Sequence, residues 1–379
     1  MAPGRGRSRP LLIGGEITRY SSFGTWHPLS VPRVTVALDL IRVLGWVAPD
    51  RYIEAPLAER ADVLRFHDPG YLDALAEAEA AQSVSQAVQA RYRIGLGSNP
   101  IYPEMYRRPM TGAGGLILAA RLTAQGGVVH CPGSGTHHGR PDHPSGFCYL
   151  NDVVLAMLVW QELGRARIAY VDLDAHHGDG VQDAFAADPR VLTISVHEQK
   201  RWPFTGTRDD RGGGHARNLP VPAGFNDSEM RVLREAAILP LVRAHRPQAI
   251  LVQGGADALE DDPLSRLSLS NIALADAVAS LHALALELDV PLIVTGGGGY
   301  NPYTAGRCWA LYWARLNDLP VPDRLPPEAE AVLRPLRYRR GNGRVPPEHW
   351  FTTLQDMPRE GPVRPEIRQL ADQIMENAV

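Results

Sequence analysis

Lysine is almost absent from this chain: Lys200 is the only one among 379 residues, and arginine carries nearly all the positive charge. So strong a bias points to genome composition, that of a GC-rich bacterium, and says little about function. Cysteine is scarce too. Cys131, Cys148 and Cys308 are odd in number and far apart, which excludes a disulfide framework or a zinc ribbon and points to a reducing compartment. No apolar run reaches membrane-spanning length and the N-terminus lacks the apolar core of a signal peptide, so the cytoplasm is the expected location. The formal net charge of −3 provides no global field for nucleic acid or an anionic membrane, and neither is expected as a partner.

What is present is a regular alternation. Short apolar runs at 127–131, 168–173, 191–196, 249–252 and 291–295 read as buried strands. Helical patterns at 150–163, 227–244 and 270–288 lie between them, and 37–44, 72–79 and 113–124 add helices before the first of those strands. Strand, helix, strand at this spacing requires a mostly parallel sheet with helices on both faces. The expected fold is therefore a single three-layer α/β/α domain over 11–319 with about eight strands. Residues 1–10, rich in Arg, Gly and Pro, read as a disordered basic tail. Residues 320–379, Pro-rich from Leu319-Pro320 onward, read as an extension packed on the domain, ending in a helix near 365–376.

The chemistry gathers at the carboxyl ends of the strands, where open α/β sheets bind their ligands. After 168–171 come Asp172, Asp174 and His176 at two-residue spacing, then Asp179. Alternate residues of a strand share a face, so this spacing aims three polar groups one way. A buried strand end carries two carboxylates and an imidazole only if a cation or a hydrogen-bond network compensates them. Such a donor set, with no thiolate, suits zinc or another first-row divalent ion in a catalytic site. The other strand ends carry Gly133-Ser-Gly-Thr-His137-His138, Gly254-Gly-Ala-Asp257 and Gly296-Gly-Gly-Gly299-Tyr300. Each alone has a structural reading as a cap or turn; four at equivalent ends of one sheet are hard to obtain by chance.

These motifs, with Ser145-Gly146-Phe147-Cys-Tyr-Leu-Asn-Asp152 between them, resemble the zinc-dependent histone deacetylase superfamily with its arginase-like fold. Within it the chain is most similar to the bacterial acetoin-utilisation branch. The resemblance implies Asp174, His176 and Asp257 as metal ligands. It implies His138 as general base and then general acid, with His137 as electrostatic support. Asp172 and Asp179 would be the carboxylates behind His137 and His138, and Tyr300 the donor to the tetrahedral oxyanion. Gly146, Phe147, Leu264, Ser98, Gly298 and Gly299 would belong to the substrate channel, with either Trp202 or Phe204 as its second wall. Arg33 would lie on the acetate-release side, and Asp172, Asp174, His176 and Ser195 would bound a potassium site. Zinc, or iron(II) in the cell, would be the cofactor, with potassium as a structural ion. Ser98 stands where peptide deacetylases of the family often carry a rim aspartate, and supplies no charge.

The implied activity is removal of an acetyl or other short acyl group from a lysine side chain of a protein or peptide. A deacetylase of acetylpolyamines or another small acylated amine is the alternative, with Glu260, Asp261 and Asp262 as the acids that would mark it. An arginase-like ureohydrolase would need a second metal and a further ligand set. A non-catalytic acyl reader would have no use for both histidines and Tyr300.

Overall fold

The computed structural model describes residues 9–21, 23, 27–338 and 345–376. The tail expected at 1–10 lies outside these apart from Arg9 and Pro10. Eight strands form one sheet: β1 (Leu11–Gly14), β2 (Tyr52–Glu54), β3 (Val128–Cys131), β4 (Ile168–Asp172), β5 (Val191–Glu198), β6 (Ala216–Val221), β7 (Ala249–Gln253) and β8 (Leu292–Thr295). Their order is β2-β1-β3-β8-β7-β4-β5-β6 and every pairing is parallel. All eight carboxyl ends therefore meet at one edge. The four that carry the suspect motifs, β3, β8, β7 and β4, are neighbours at its centre.

The period of two along each strand divides the core. Val128, Ile250, Val252, Leu292 and Val294 face a layer built from helices Arg33–Val43, Asn271–Leu288 and Pro302–Leu316. Val129, Leu251 and Ile293, one residue out of step, face the opposite layer of helices Arg107–Leu122 and Asp152–Glu162. Burial on both faces explains why these strands read as continuous apolar runs. Asn271–Leu288 has the length and apolarity of a membrane span, a feature the sequence reading did not credit. Leu274, Val278, Leu281 and Leu284 on it are buried in the sheet-facing core.

Three strands and one central helix were not anticipated. Strands β1 and β2 are four and three residues long, and β6 contains Arg217, Asn218 and Pro220. Helix Pro302–Leu316 has Gly306 and Arg307 in its middle. The helix expected over 227–244 is interrupted by a π-helical stretch at Arg234–Ile238, just before Pro240, which has no amide hydrogen to donate.

The C-terminal segment closes over the sheet-facing layer. Its last helix, Pro365–Glu376, buries Ile367, Leu370, Ala371 and Ile374. Arg364 makes a two-pronged ion pair with Glu229, both contacts at 2.6 Å. Arg307, fully buried, donates from Nε to Thr353 O at 2.7 Å and lies 2.8 Å from Asp356 Oδ1.

Candidate metal-dependent active site

Asp174, His176 and Asp257 converge from the ends of β4 and β7, all buried, with one donor atom from each lying within 4.8 Å of the others. His176 Nδ1 is 2.9 Å from Asp257 Oδ2 and 3.3 Å from Asp174 Oδ1. The carboxylates are fixed from behind: Gly298 N donates to Asp174 Oδ2 at 2.7 Å, and Ala175 N to Asp257 Oδ1 at 2.9 Å. Gly298 has to be glycine for this approach, because a Cβ there would stand well inside 3.0 Å of Asp257 Oδ2. Burial opposes charging of His176, yet Asp174 and Asp257 raise it to about 10. Burial likewise opposes ionisation of Asp174, but His137 and His176 hold it well below the carboxylate range. Burial and the charge of Asp174 push Asp257 up. A proton on His176 thus balances part of the charge on two neighbouring carboxylates, as a divalent cation would. Three preformed donors of this type suit zinc.

The two histidines after β3 sit beside this cluster, ring centroids 3.9 Å apart. His137 Nδ1 is 2.8 Å from Asp172 Oδ2, an oxygen that also accepts from the Tyr170 hydroxyl at 2.7 Å. His138 Nδ1 is 2.7 Å from Asp179 Oδ1, and Arg140 pairs with the other oxygen of Asp179. Their environments separate them. Burial would depress His137, but Asp172 and Asp174 outweigh it and bring it to about 9. Burial and the neighbouring His137 charge push His138 down to about 4. The two environments thus push the imidazoles in opposite directions, a division typical of acid–base pairs.

His138 and His176 form the floor of a cavity of about 630 Å³ that opens to the surface. Phe147 and Tyr300, edge to face with centroids 5.8 Å apart, form one wall. Trp202 lines the cavity too. Its ring stands 4.7 Å from that of His138, and a Cβ on Gly146 would collide with it. Phe204 is 73% exposed against 39% for Trp202 and lies at the outer lip. Leu264 and Ser98 line the mouth. Burial and the charges of Asp257 and Asp174 keep the Tyr300 phenol well above its ordinary pKa, so it remains a donor.

The other expected positions make specific contacts. Gly298 and Gly299 do not line the cavity; Gly298 backs the ligand carboxylates, and the Gly297 and Gly299 carbonyls accept from Arg33 at 2.6 and 3.0 Å. Arg33 therefore sits behind the tetraglycine, with its guanidinium 5.3 Å from the Trp309 ring. Ser195 is the cross-strand partner of Asp172, and its hydroxyl is 2.9 Å from His197 Nδ1. The acids at 260–262 are committed elsewhere: Glu260 pairs with Arg359 at 2.6 Å, Asp261 lies 3.9 Å from the same arginine, and buried Asp262 accepts from Tyr300 N at 2.6 Å. Glu198, Lys200, Arg201 and Arg266 also line the cavity and were not anticipated. Lys200 follows β5 by two residues, so the strand-end rule could have found it.

A family model described as a histone deacetylase domain matches residues 27–316. The Arabidopsis thaliana protein named histone deacetylase 6 is 35% identical over 297 residues, 76% of this chain and 62% of its own length. A Bacillus subtilis protein, acetoin utilization protein AcuC, is 30% identical over 312 residues, 80% of either chain. The chain spans less than two thirds of several eukaryotic relatives, 57% of rice histone deacetylase 3 for example. A crystal structure described as an HDAC homolog from Aquifex aeolicus superposes with a TM-score of 0.90 at 31% identity, covering 97% of this chain and all of that one. A second structure, of an HDAC homolog complexed with SAHA, matches equally well.

Proposed function

The chain belongs to the histone deacetylase family, and from that premise we propose that it is a zinc-dependent amidohydrolase removing an acetyl or other short acyl group from lysine side chains. The observation that carries this is the placement of two imidazole–carboxylate pairs beside the Asp174, His176 and Asp257 donors at the floor of one aromatic-walled cavity. The acyl-lysine stem fits between Phe147 and Trp202, which shield it from water and bring its carbonyl to the floor.

A zinc ion held by Asp174, His176 and Asp257 would supply Lewis acidity to the scissile carbonyl and to water. The protein's own groups move the protons. His138 is neutral, and Asp179 on Nδ1 leaves Nε2 free to take a proton from the attacking water and later deliver it to the departing amine. His137, with Asp172 on its Nδ1, stands beside the negative charge that develops and supports it electrostatically. Tyr300 donates its phenolic hydrogen to the same developing oxyanion. Iron(II) as the metal in the cell, and a potassium ion near Asp172, Asp174, His176 and Ser195, belong to this proposal as well. The adjacency of Ser195 to Asp172 across β4 and β5 supports the potassium site.

The test compares kcat/KM of the zinc-loaded protein on acetyl-lysine peptides and on free acetylated polyamines. Faster peptide turnover is expected, since no uncommitted carboxylate lines the mouth to receive a distal ammonium among the described residues. Tyr300→Phe should lower the rate about 100- to 1000-fold with zinc content unchanged. Faster polyamine turnover would overturn the substrate assignment.

A further inference from the structure

Charge around the entrance is uneven. Lys200 and Arg266 both line the cavity and are both exposed. Neither has an ion-pair partner among the described residues. Arg201 is different: Glu198, the one acid among the described residues of the cavity wall, accepts from it at 2.7 and 2.9 Å. Glu260 and Asp261 face Arg359, Asp262 is buried on the Tyr300 amide, and Ser98 is uncharged. Among the described residues the mouth thus presents two unpaired cations and no uncommitted carboxylate. Lys200 also adopts a left-handed backbone, φ 59°, where glycine or asparagine is easier to place. A strained lysine with no ion-pair partner among the described residues is more easily understood if its partner arrives with a ligand.

Taking the site as a lysine deacylase, we infer that Lys200 and Arg266 form an anion-reading rim, and that the substrate is an acyl-lysine flanked by acidic residues in an exposed peptide segment. Both cations line the cavity and are exposed to solvent. They therefore meet the residues on either side of the acyl-lysine and not the acyl group itself. The same two charges repel the distal ammonium of an acylated polyamine. Exposed pairs of this kind each change affinity about 1.5- to 5-fold and weaken as salt screens them. Two acting together give a preference of about two- to 25-fold, seen mainly in KM.

The experiment uses the zinc-loaded full chain and three acetyl-lysine peptides of equal length, flanked by glutamate, alanine or arginine. Rates on the charged peptides are divided by the rate on the alanine peptide, at about 50 mM and about 500 mM salt. Wild type should rank acidic over neutral over basic at low salt and lose the ranking at high salt. The double variant Lys200→Glu/Arg266→Glu should invert it, and the milder Lys200→Gln/Arg266→Gln should flatten it. Equal rates on all three peptides with the wild type would overturn the rim, as would an acidic preference that survives charge removal. If the alanine peptide itself is not hydrolysed, the deacylase reading fails first.

Discussion

Replacing Gly298 by alanine adds a single methyl at the most crowded point of the site. Gly298 does not need a left-handed backbone, so the change is steric and not conformational. The new Cβ would lie well inside 3.0 Å of Asp257 Oδ2, 2.5 Å from Asp257 Cγ and 2.8 Å from Asp174 Oδ2. Ordinary contact starts near 3.4 Å. The Gly298 backbone cannot retreat freely, because its amide holds Asp174 and the flanking carbonyls hold Arg33. The carboxylate of Asp257 must move instead, by about 1 Å, against fully buried surroundings. Metal sites tolerate ligand displacements of about 0.2 Å. Disturbing only a supporting group costs about 10- to 100-fold in metal affinity; displacing a ligand should cost at least the upper value, about 2.7 kcal/mol. Competition for zinc against a fluorescent chelator measures this directly, with thermal melts to verify folding. Gly133→Ala is the control, since its methyl would meet only Val34 Cγ1 at 3.7 Å. A folded Gly298→Ala protein that binds zinc within about threefold of wild type would refute the assignment of Asp257 as a ligand.

Three further outcomes follow from other parts of the molecule. Zinc loading near neutral pH should release about one proton, since His176 at about 10 is protonated until the metal displaces it; calorimetric enthalpies identical in buffers of different ionisation heat would contradict this. Asp356→Ala should strand the buried Arg307 guanidinium and cost about 3 kcal/mol in urea unfolding, and a loss below about 1 kcal/mol would show that Thr353 O suffices. Burial pushes His67 and His130 to about 4 and His197 to about 3. Each is neutral when folded and charges near 6.5 when unfolded, so the unfolded state binds more protons as pH falls. Stability present above 6.5 is therefore lost on the way down to 4, by about 2 kcal/mol per histidine at pH 5. Unfolding midpoints unchanged between pH 7 and 5 would refute it.

The central strands were legible because burial on both faces leaves them little choice but Val, Ile, Leu and Ala. The motifs at their ends were legible because polar groups in that position need a chemical reason. Strands β1, β2 and β6 were not legible, the first two because they are too short to show a period and β6 because polar residues interrupt it. Helix Pro302–Leu316 was hidden by its own packing. Gly306 stands where a Cβ would collide with Val36, and Arg307 is buried only because Asp356 and Thr353, far along the chain, meet it. Which of Trp202 and Phe204 walls the cavity depends on turn geometry after β5, which composition does not encode. The fate of Glu260 likewise depended on Arg359, a hundred residues away in the extension.

The solitary lysine at the cavity mouth has a practical side. Apart from the chain's α-amino group, Lys200 Nζ is the only primary amine this protein offers to an acylating reagent. Amine-directed dyes, cross-linkers and coupling resins therefore attach at the substrate entrance and nowhere else along the side chains. A preparation immobilised through lysine is held with its entrance against the matrix, and its low activity would report the chemistry of attachment. The same fact makes Lys200 a ready single-site handle. A small environment-sensitive fluorophore on that amine would respond to whatever enters the cavity beside it.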